Sequence, residues 1–316
     1  MIEILKTDDG ALKHLDVVES GCWVNACVPS SQEVKWLSDN LGIDNDFIDA
    51  MLDRDEISRI DKNEDASQAL VVVDYPAAED LDDKANPSLE QFDTQPISIL
   101  LIENPSVVVT LTNAPCSIVE KLKSDRKLSI ATGKRTRFLL DVLLEVSQSY
   151  IDALRVLEKQ TMALERKMRK KQNNEGLMSM LGIEKSLLYM STSLKSSAPT
   201  LQAIKNGQFV KLFEEDEELL NDVIVEYRQA SEMCSIYTDV ITRAMDAFSG
   251  VVSNNVNASM GVLTTITLLL SIPTVVFSFY GMNTNLLPMS DSWVFPMLLS
   301  VALAAVAVVV LLRWKR

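Results

Sequence analysis

The N-terminal part of the chain alternates short apolar runs with turn residues and amphipathic segments. The runs at 2–6, 22–28, 69–74, 97–102 and 107–112 have the β-rich composition of strands, and turn residues at 8–10 and 103–105 indicate hairpins. Ser30 followed by Glu33 is a capping box that predicts a helix to Leu41, and Pro115 occupies a plausible first helical position for another helix to about Lys123. The pattern predicts an α/β cytoplasmic domain over residues 1–135, with a mixed or antiparallel sheet.

From about residue 136 the periodicity becomes that of long helices. One pattern covers 138–172 and ends in a basic run at 166–171. We interpret 173–176 as a break before a second helical stretch that ends near 205. Residues 136–212 are therefore predicted to form a cytoplasmic helical region.

The next helix is predicted to be the longest, covering 213–283 and continuing into a membrane span. No proline occurs between Glu214 and Pro273, and apolar or small residues recur in alternating steps of three and four, which is typical of a heptad seam. The alternative is a helix packed inside one globular domain, but a helix of this length would extend beyond such a domain. The seam consists of Leu220, Val223, Tyr227, Ala230, Cys234, Tyr237, Ile241, Ala244, Phe248 and Val251.

Two uncharged apolar stretches lie near the C-terminal end. No charged residue occurs between Asp246 and Asp291, and 260–279 is long enough to cross about 30 Å of hydrocarbon, with Pro273 tolerated inside a membrane helix. A second uncharged run covers 292–312. We predict membrane helices at about 260–280 and at 293–312; the alternative is a buried hydrophobic hairpin of a soluble protein.

The residues around these stretches predict their orientation. Trp293 and Trp314 flank the second span, as interfacial aromatic residues do. The predicted external loop at 284–292 has no Lys or Arg, whereas the tail at 313–316 is basic. The positive-inside rule therefore places the tail in the cytoplasm, and two spans place the N-terminal domain on the same side.

The composition of the chain excludes several classes of function. Lys and Arg total 30 against 44 Asp and Glu, for a net charge of -14, which argues against nucleic acid as a partner. His14 is the only histidine, which excludes most zinc enzymes and most Ser-His or Cys-His nucleophiles. The chain has no Gly-rich phosphate loop, and its four cysteines fit reduced structural thiols. We predict that the protein is not an enzyme.

A polar stripe follows one face of the long helix into the first span. Its acidic part advances in steps of seven, so its members share a face. One interpretation is helix packing together with solvation of the acidic positions. The other is an oligomer in which this face surrounds a central axis, with Asn257 at the membrane entrance and Met260 and Leu263 as an apolar constriction that gates by dewetting. The stripe consists of Glu232, Asp239, Asp246, Ser253, Asn257, Met260, Leu263, Thr267, Ser271, Thr274 and Ser278.

The first span ends in Phe279-Tyr280-Gly281-Met282-Asn283. A Gly-Met-Asn tripeptide alone is a weak signal, but its position here makes it specific. It lies at the predicted external end of the first of two C-terminal spans, after a long charged helix. On this motif, and on segments 257–264 and 271–274, the chain resembles the CorA family of magnesium transporters along essentially its whole length. The resemblance implies a funnel-shaped homopentamer in the cell membrane, with one long helix per subunit around the pathway.

The resemblance also assigns roles to individual residues. Tyr280, Gly281, Met282 and Asn283 would form the outer mouth that captures a hydrated ion. Asn257 would line the inner pore, with Met260 and Leu263 as the gate and the hydroxyl residues of the stripe between gate and mouth. Asp239 and Asp246, with Glu232 on the same face, would surround the cytoplasmic opening.

A regulatory site is implied as well. Asp222 matches the stalk position at which the family binds regulatory Mg2+ between subunits, and we expect its partner carboxylate in the acidic loop at 79–83. The chain departs from the family pattern at two places that concern ion access. Relatives often have an acidic residue soon after the tripeptide, whereas the one acid of this loop, Asp291, lies further along the chain. Gly261 stands where many relatives carry Lys.

The predicted function is influx of Mg2+, driven by the membrane potential and inhibited by cytosolic Mg2+. Mg2+ is then both substrate and regulatory ligand, and no other cofactor is expected. One alternative is transport of Zn2+, Co2+ or Ni2+ by the same architecture, although a single histidine makes a dedicated soft-metal site less favoured. Another is a membrane-tethered scaffold that conducts no ions.

Overall fold

A computed structural model describes residues 1–79, 90–124, 130–170, 174–207, 209–282 and 293–314 of the chain. The chain divides into two units, Met1–Met245 and Asp246–Arg316. The first contains a sheet and the helices around it, and the second contains the apolar helices.

The apolar runs of the first unit form a mixed sheet of seven strands. The strands are β1 (Ile2–Asp8), β2 (Ala11–Leu15), β3 (Trp23–Cys27), β4 (Arg59–Asn63), β5 (Gln68–Ala78), β6 (Phe92–Ile102) and β7 (Val107–Thr112). Their order is β2-β1-β3-β7-β6-β5-β4, and every neighbouring pair is antiparallel except β3 with β7. The predicted mixed sheet and both predicted hairpins, β1–β2 and β6–β7, are confirmed.

Seven helices belong to the described chain. They are α1 (Ser31–Leu41), α2 (Asn45–Leu52), α3 (Ser117–Ser124), α4 (Arg135–Lys170), α5 (Asn174–Lys205), α6 (Glu214–Tyr280) and α7 (Val294–Trp314). The α/β domain followed by long helices and a C-terminal apolar helix is therefore confirmed.

The predicted capping box begins α1 and also ties it to the sheet. Glu33 Oε2 accepts a bond from Ser30 N at 2.8 Å, and Glu33 N donates to Ser30 Oγ at 3.4 Å. The other carboxylate oxygen of Glu33 accepts from Ile2 N at 2.9 Å, in β1. The bond from Ser30 N, together with the Ser30 hydroxyl and the N-terminal ammonium, lowers the pKa of Glu33 to about 2 although partial burial opposes the shift. Gly42, with φ of 61°, ends the helix in the left-handed region.

Helices cover both faces of the sheet, which explains why central strands are buried along their whole length. Side chains of α1 and α2, including Leu37 and Met51, pack with one face of the sheet in a single apolar cluster. The long helices α4 and α5 pack against β5 and β6. At the start of α4, the ring of Phe138 lies 5.0 Å from that of Trp23 in β3. The result is an α/β/α layer arrangement.

Two expectations about local structure were wrong. Helix α3 begins at Ser117, so Pro115 precedes it by two residues instead of occupying its first position. Gly176 lies inside α5, not in a break, because α5 already begins at Asn174. A Cβ on Gly176 would come within 2.7 Å of Met168 Cγ, so this glycine permits close packing of α4 and α5. Helix α2 and strand β4 are additional to the predicted elements; both are short, and β4 is mostly polar.

The heptad seam of α6 is partly an internal packing face. Its members from Leu220 to Ile241 are buried, apart from the half-buried Tyr237. Tyr227 places its ring 6.5 Å from that of Tyr150, and the Cys234 thiol donates to Leu187 O at 3.2 Å. The interpretation of a helix packed inside a domain therefore holds for this segment, whereas α6 as a whole extends over 67 residues.

The second unit has two helices that are long and apolar enough to cross a membrane. Their most apolar windows, in α6 and at Val294–Leu311, are only 6% and 11% buried. A core helix of a soluble protein would be mostly buried, so this exposure favours lipid as the surroundings. The rings of Tyr280, in α6, and Phe295, in α7, lie 6.1 Å apart in an edge-on contact.

A buried chain of hydrogen bonds joins β3 to β7 and generates a test of the fold. The Trp23 indole N–H donates to Thr110 Oγ1 at 2.7 Å, and that hydroxyl donates to Asn25 Oδ1 at 3.1 Å. We expect Thr110→Val to lower the free energy of unfolding by about 1–3 kcal/mol, because it removes the acceptor of a buried N–H. Thermal melting in detergent measures the change.

The same strand provides the matched control. Thr112, two residues further along β7, has a buried hydroxyl oxygen with no hydrogen-bond partner among the described residues. Thr112→Val makes the same substitution without breaking a bond and should leave the melting temperature unchanged or raise it. Equal destabilisation by the two variants would contradict a structural role for the Trp23–Thr110 bond.

Candidate ion pathway

The pore residues predicted from the stripe all lie on α6, in the second unit. They follow steps of three and four, which places them on one side of the helix. Each has an exposed side chain in the single chain, so no intramolecular packing uses this face. Their roles remain predictions. They are Asn257, Met260, Leu263, Thr267, Ser271, Thr274 and Ser278.

Hydroxyl groups on this face use their protons within the helix. Thr267 Oγ1 donates to Leu263 O at 2.9 Å, Ser271 Oγ to Leu268 O at 2.8 Å, and Thr274 Oγ1 to Leu270 O at 3.1 Å. A hydroxyl oxygen keeps two acceptor sites after its proton is donated. The face therefore presents hydrogen-bond acceptors, which suits contact with the outward-pointing protons of a hydrated cation.

The predicted outer mouth is described as far as Met282. Helix α6 ends at Tyr280, and the chain then turns, with Gly281 N donating to Phe277 O at 2.9 Å and Met282 N to Phe279 O at 3.4 Å. A Cβ on Gly281 would lie 3.2 Å from Phe277 O, so a side chain there would crowd the turn. Asn283 and the predicted loop at 284–292 lie outside the described residues.

The predicted cytoplasmic carboxylates are exposed on α6. Asp222, Glu232 and Asp239 belong to the first unit, and Asp246 begins the second. Among the described residues, no group of three or more His, Cys, Asp or Glu side chains is placed to hold a metal ion. A cation bound at these positions would therefore need ligands beyond those that the described part of one chain brings together.

The expected partner of Asp222 is only partly described. Of the acidic loop at 79–83, only Glu79 lies within the described residues, and its carboxylate is 3.7 Å from Lys185 Nζ, in α5. The remaining positions of that loop lie outside the described part of the chain. The pairing with Asp222 remains a prediction.

A cluster of buried carboxylates in the first unit was missed by sequence reasoning. Asp141 and Glu145, one turn apart on α4, lie near Asp216 at the start of α6. Arg137 is 3.9 Å from Asp141 and 3.7 Å from Asp216, and Lys121 Nζ is 2.5 Å from Glu145 Oε2. Two acids spaced by four within the apolar face of α4 were the available signal.

Burial dominates the electrostatics of this cluster. It raises the pKa of Asp141 to about 6, with the negative charges of Asp216 and Glu145 adding to the effect and Arg137 opposing it. The charged form of Asp141 is therefore destabilising near neutral pH. The cluster forms a structural junction between α4 and α6, since Arg137 of α4 pairs with Asp216 of α6.

Comparison with known proteins relates the whole chain to ion transporters. The sequence model of the family described as CorA-like Mg2+ transporter protein matches residues 18–316. The cobalt/magnesium transport protein CorA of Methanocaldococcus jannaschii is 27% identical over 274 residues, which cover 85% of this chain and 82% of that protein.

Solved structures agree on the fold. The complete structure of the CorA magnesium transporter from Methanocaldococcus jannaschii matches with a TM-score of 0.79 at 23% identity, covering 99% of this chain and 96% of that one. The full-length CmaX protein matches with a TM-score of 0.71 at 15% identity, covering 100% and 97%. At these identities the likeness supports a shared fold.

The raised pKa of Asp141 predicts a pH-dependent stability. A carboxyl whose folded-state pKa exceeds its unfolded value of 3.8 stabilises the fold fully below about pH 4, and this stabilisation is lost as pH rises through about 6. Asp141→Asn should therefore raise the free energy of unfolding by about 3 kcal/mol at pH 8 and have little effect at pH 4. Melting of the detergent-solubilised protein across this range measures it.

Asp152→Asn is the matched control, since Asp152 is an exposed acid of α4 paired with Arg155. Its effect on melting should be small and the same at both pH values. A pH-independent effect of Asp141→Asn would show that the pKa of Asp141 is not raised in the folded state and would contradict the assignment.

Proposed function

Because the chain belongs to the CorA family of divalent-cation transporters, we propose that it conducts Mg2+ into the cell and is closed by cytosolic Mg2+. The observation that carries the proposal is the exposed face of α6 from Asn257 to Ser278, whose hydroxyl oxygens are free to accept hydrogen bonds. Such a face fits the wall of a water-filled path, because the free acceptor sites of its hydroxyl oxygens can bind water.

The chemistry of this face suits an ion that keeps its water. Mg2+ dehydrates reluctantly and usually retains several waters. Amide oxygens of Asn257 and Asn283, with hydroxyls between them, can hold those waters without replacing them. A cage of carboxylates would bind the bare ion too tightly for conduction, because ions must also leave.

A closed path requires several copies of α6, since one helix presents only one wall. We propose a homopentamer in the cell membrane, in which the membrane part of α6 from each subunit surrounds the axis. Asn257, Met260 and Leu263 lie at the cytoplasmic entrance, and Tyr280 to Asn283 lie at the outer mouth. The basic tail at 313–316 and the N-terminus are cytoplasmic by the positive-inside rule.

The membrane potential supplies the driving force. At about 2.3 kcal/mol per charge per 100 mV, a divalent ion gains roughly 4.6 kcal/mol on moving inward. This corresponds to a concentration ratio of roughly a thousandfold. No nucleotide hydrolysis is needed, which agrees with a function as a transporter and not an enzyme.

Closure is proposed to be a ligand-shifted equilibrium at the cytoplasmic carboxylates. Mg2+ at Asp222, shared with a carboxylate of the neighbouring subunit, holds the subunits together in the closed state. When cytosolic Mg2+ falls, the unscreened carboxylates repel and the open state becomes populated. Glu232, Asp239 and Asp246 concentrate cations at the inner opening.

Co2+ is the second candidate substrate. The relative from Methanocaldococcus jannaschii is named for cobalt as well as magnesium transport. Oxygen ligands around a retained hydration shell discriminate poorly between divalent ions of similar size. Competition between Mg2+, Co2+, Ni2+ and Zn2+ in one assay decides which ion the pathway prefers.

The pathway is tested by ion flux into liposomes. The purified protein is reconstituted in vesicles that contain a Mg2+-sensitive dye, and an inside-negative potential is imposed. Asn283→Ala and Asn257→Ala should each slow Mg2+ entry by about tenfold or more, because loss of contacts worth about 1.4 kcal/mol at the mouth or entrance changes a rate tenfold. Entry should be monitored with each divalent ion in turn.

Asn255→Ala is the matched control, because Asn255 is exposed on the same helix and lies two residues before Asn257, which places it on the side opposite the stripe. It should conduct as the wild type does. Absence of entry for all four ions in folded oligomers would overturn transport and leave the membrane-tethered scaffold. Equal loss in Asn255→Ala would show that the asparagine effects are not specific to the stripe.

Regulation is tested separately at Asp222. In planar bilayers, Mg2+ is raised stepwise on the side of the N-terminal domain while the current is recorded. Asp222→Asn should raise the half-inhibiting Mg2+ concentration by about tenfold, since it removes one charged ligand. Asp39→Asn, at an exposed acid of α1, should leave the concentration unchanged. Unaltered inhibition in Asp222→Asn would assign the regulatory site elsewhere.

A further inference from the structure

A cavity of about 400 Å³ lies in the first unit, and none of its lining residues belongs to the proposed pathway. It is bounded by the ends of β5 and β6, the first turn of α4 and residues 209–216, which lead into α6. A volume of this size lies in the range of small-molecule sites, roughly 300–1,000 Å³. The cavity therefore has room for a ligand of modest size.

Its walls are basic in an otherwise acidic chain. Five basic side chains line it against three acidic ones, although the chain as a whole carries a net charge of -14. Such a local reversal of sign attracts anions. The basic residues are Lys62, Lys134, Arg135, Arg137 and Lys211.

Two of the three acids are already neutralised by cations of the same cavity. Glu215 Oε2 accepts from Lys134 Nζ at 2.8 Å, and Asp216 is 3.7 Å from Arg137. Glu103, in the turn after β6, is the third acid. The cations that remain, Arg135 and Lys211 above all, therefore decide what the cavity can bind.

Arg135 and Lys211 have no carboxylate within ion-pair distance in the part of the chain that the structure describes. Arg135 Nη1 donates to Ile102 O at 2.6 Å, which leaves its other N–H groups for a ligand. The ammonium of Lys211 lies 5.4 Å from the ring centroid of Phe213. Both cations are thus available for an anion.

The start of α4 adds to this preference. Its first turn contains no acidic residue, and Arg135 and Arg137 occupy it with Lys134 directly before. Cations are unfavourable at the positive end of a helix dipole, so an anion bound there relieves their repulsion. A helix start alone does not define a binding site, but this one adds to the attraction for anions that the basic side chains of the cavity provide.

Aromatic side chains also line the cavity. Phe209 and Phe213 line it, and Phe213 is 52% exposed although it is a large apolar residue. Val210 beside them is buried. An exposed phenylalanine next to unpaired cations is suited to a ligand that combines a flat ring with a negative group.

We propose that this cavity binds a small organic phosphate of the nucleotide class. The phosphate contacts Arg135 and Lys211 at the first turn of α4, and the base packs on Phe209 and Phe213. The ligand would connect the starts of α4 and α6 within the first unit. The proposal is independent of ion conduction, because binding is measured without flux.

The test is calorimetric titration of the full-length protein in detergent, with EDTA present so that metal chelation by the ligand has no effect. AMP is the main probe, and adenosine and inorganic phosphate are titrated separately. AMP should bind saturably, and each half alone should bind at least about tenfold more weakly, since each loses one set of contacts. Lys211→Gln and Phe213→Ala should each weaken AMP binding by about tenfold.

Lys205→Gln is the matched control, because Lys205 is an exposed lysine at the end of α5 that does not line the cavity. It should bind AMP as the wild type does. Absence of saturable AMP binding to the wild type, or unchanged affinity in both Lys211→Gln and Phe213→Ala, would overturn the proposal. Phosphate binding as tight as AMP binding would overturn the role of the two phenylalanines.

Discussion

Every backbone N–H and C=O group that enters hydrocarbon must find its hydrogen-bond partner inside the protein, because no water is available there. This constraint makes the membrane part of α6 and α7 helical, and it allows Pro273 only because one missing N–H can be tolerated. It also leaves the side chains to decide what each face of the helix does. Apolar residues turn toward lipid, and the few hydroxyl and amide residues must have a polar partner or a polar path.

The first unit provides a rigid support for the beginning of α6. A sheet covered on both faces by helices has a fully buried centre, and the buried bonds from Trp23 through Thr110 to Asn25 specify how β3 and β7 pair. Arg137 lies between Asp141 and Asp216 and joins α4 to α6 by charge. The start of α6 is thus held by both packing and electrostatics.

The elements of the fold that depend only on residues close together in sequence were largely predictable. The capping box of Ser30 and Glu33, the β1–β2 hairpin and the apolar spans depend on neighbours in sequence, so the sequence predicted them. The break predicted at Gly176 was wrong because this glycine serves tertiary packing: it makes room for Met168 of α4. Strand β4 was missed since an edge strand needs few apolar residues.

The candidate functional residues likewise fall into those that the sequence predicts and those that only the fold brings together. The stripe from Asn257 to Ser278 follows from helical period alone, and all its members are exposed in the single chain. The Asp141 cluster and the basic cavity combine residues from distant segments, such as Lys62, Arg135 and Lys211, and no periodicity relates them. Their chemistry becomes visible only when the fold brings these segments together.

The internal hydrogen bonds of Thr267, Ser271 and Thr274 have a consequence for the sign of the permeant charge. Water around a cation points its hydrogens outward, whereas water around an anion points its oxygens outward. Hydroxyls whose protons are already donated to the helix can accept from the first kind of shell but cannot donate to the second. A pathway lined by these hydroxyls would therefore reject hydrated chloride by the orientation of its water, without a charged residue in the membrane.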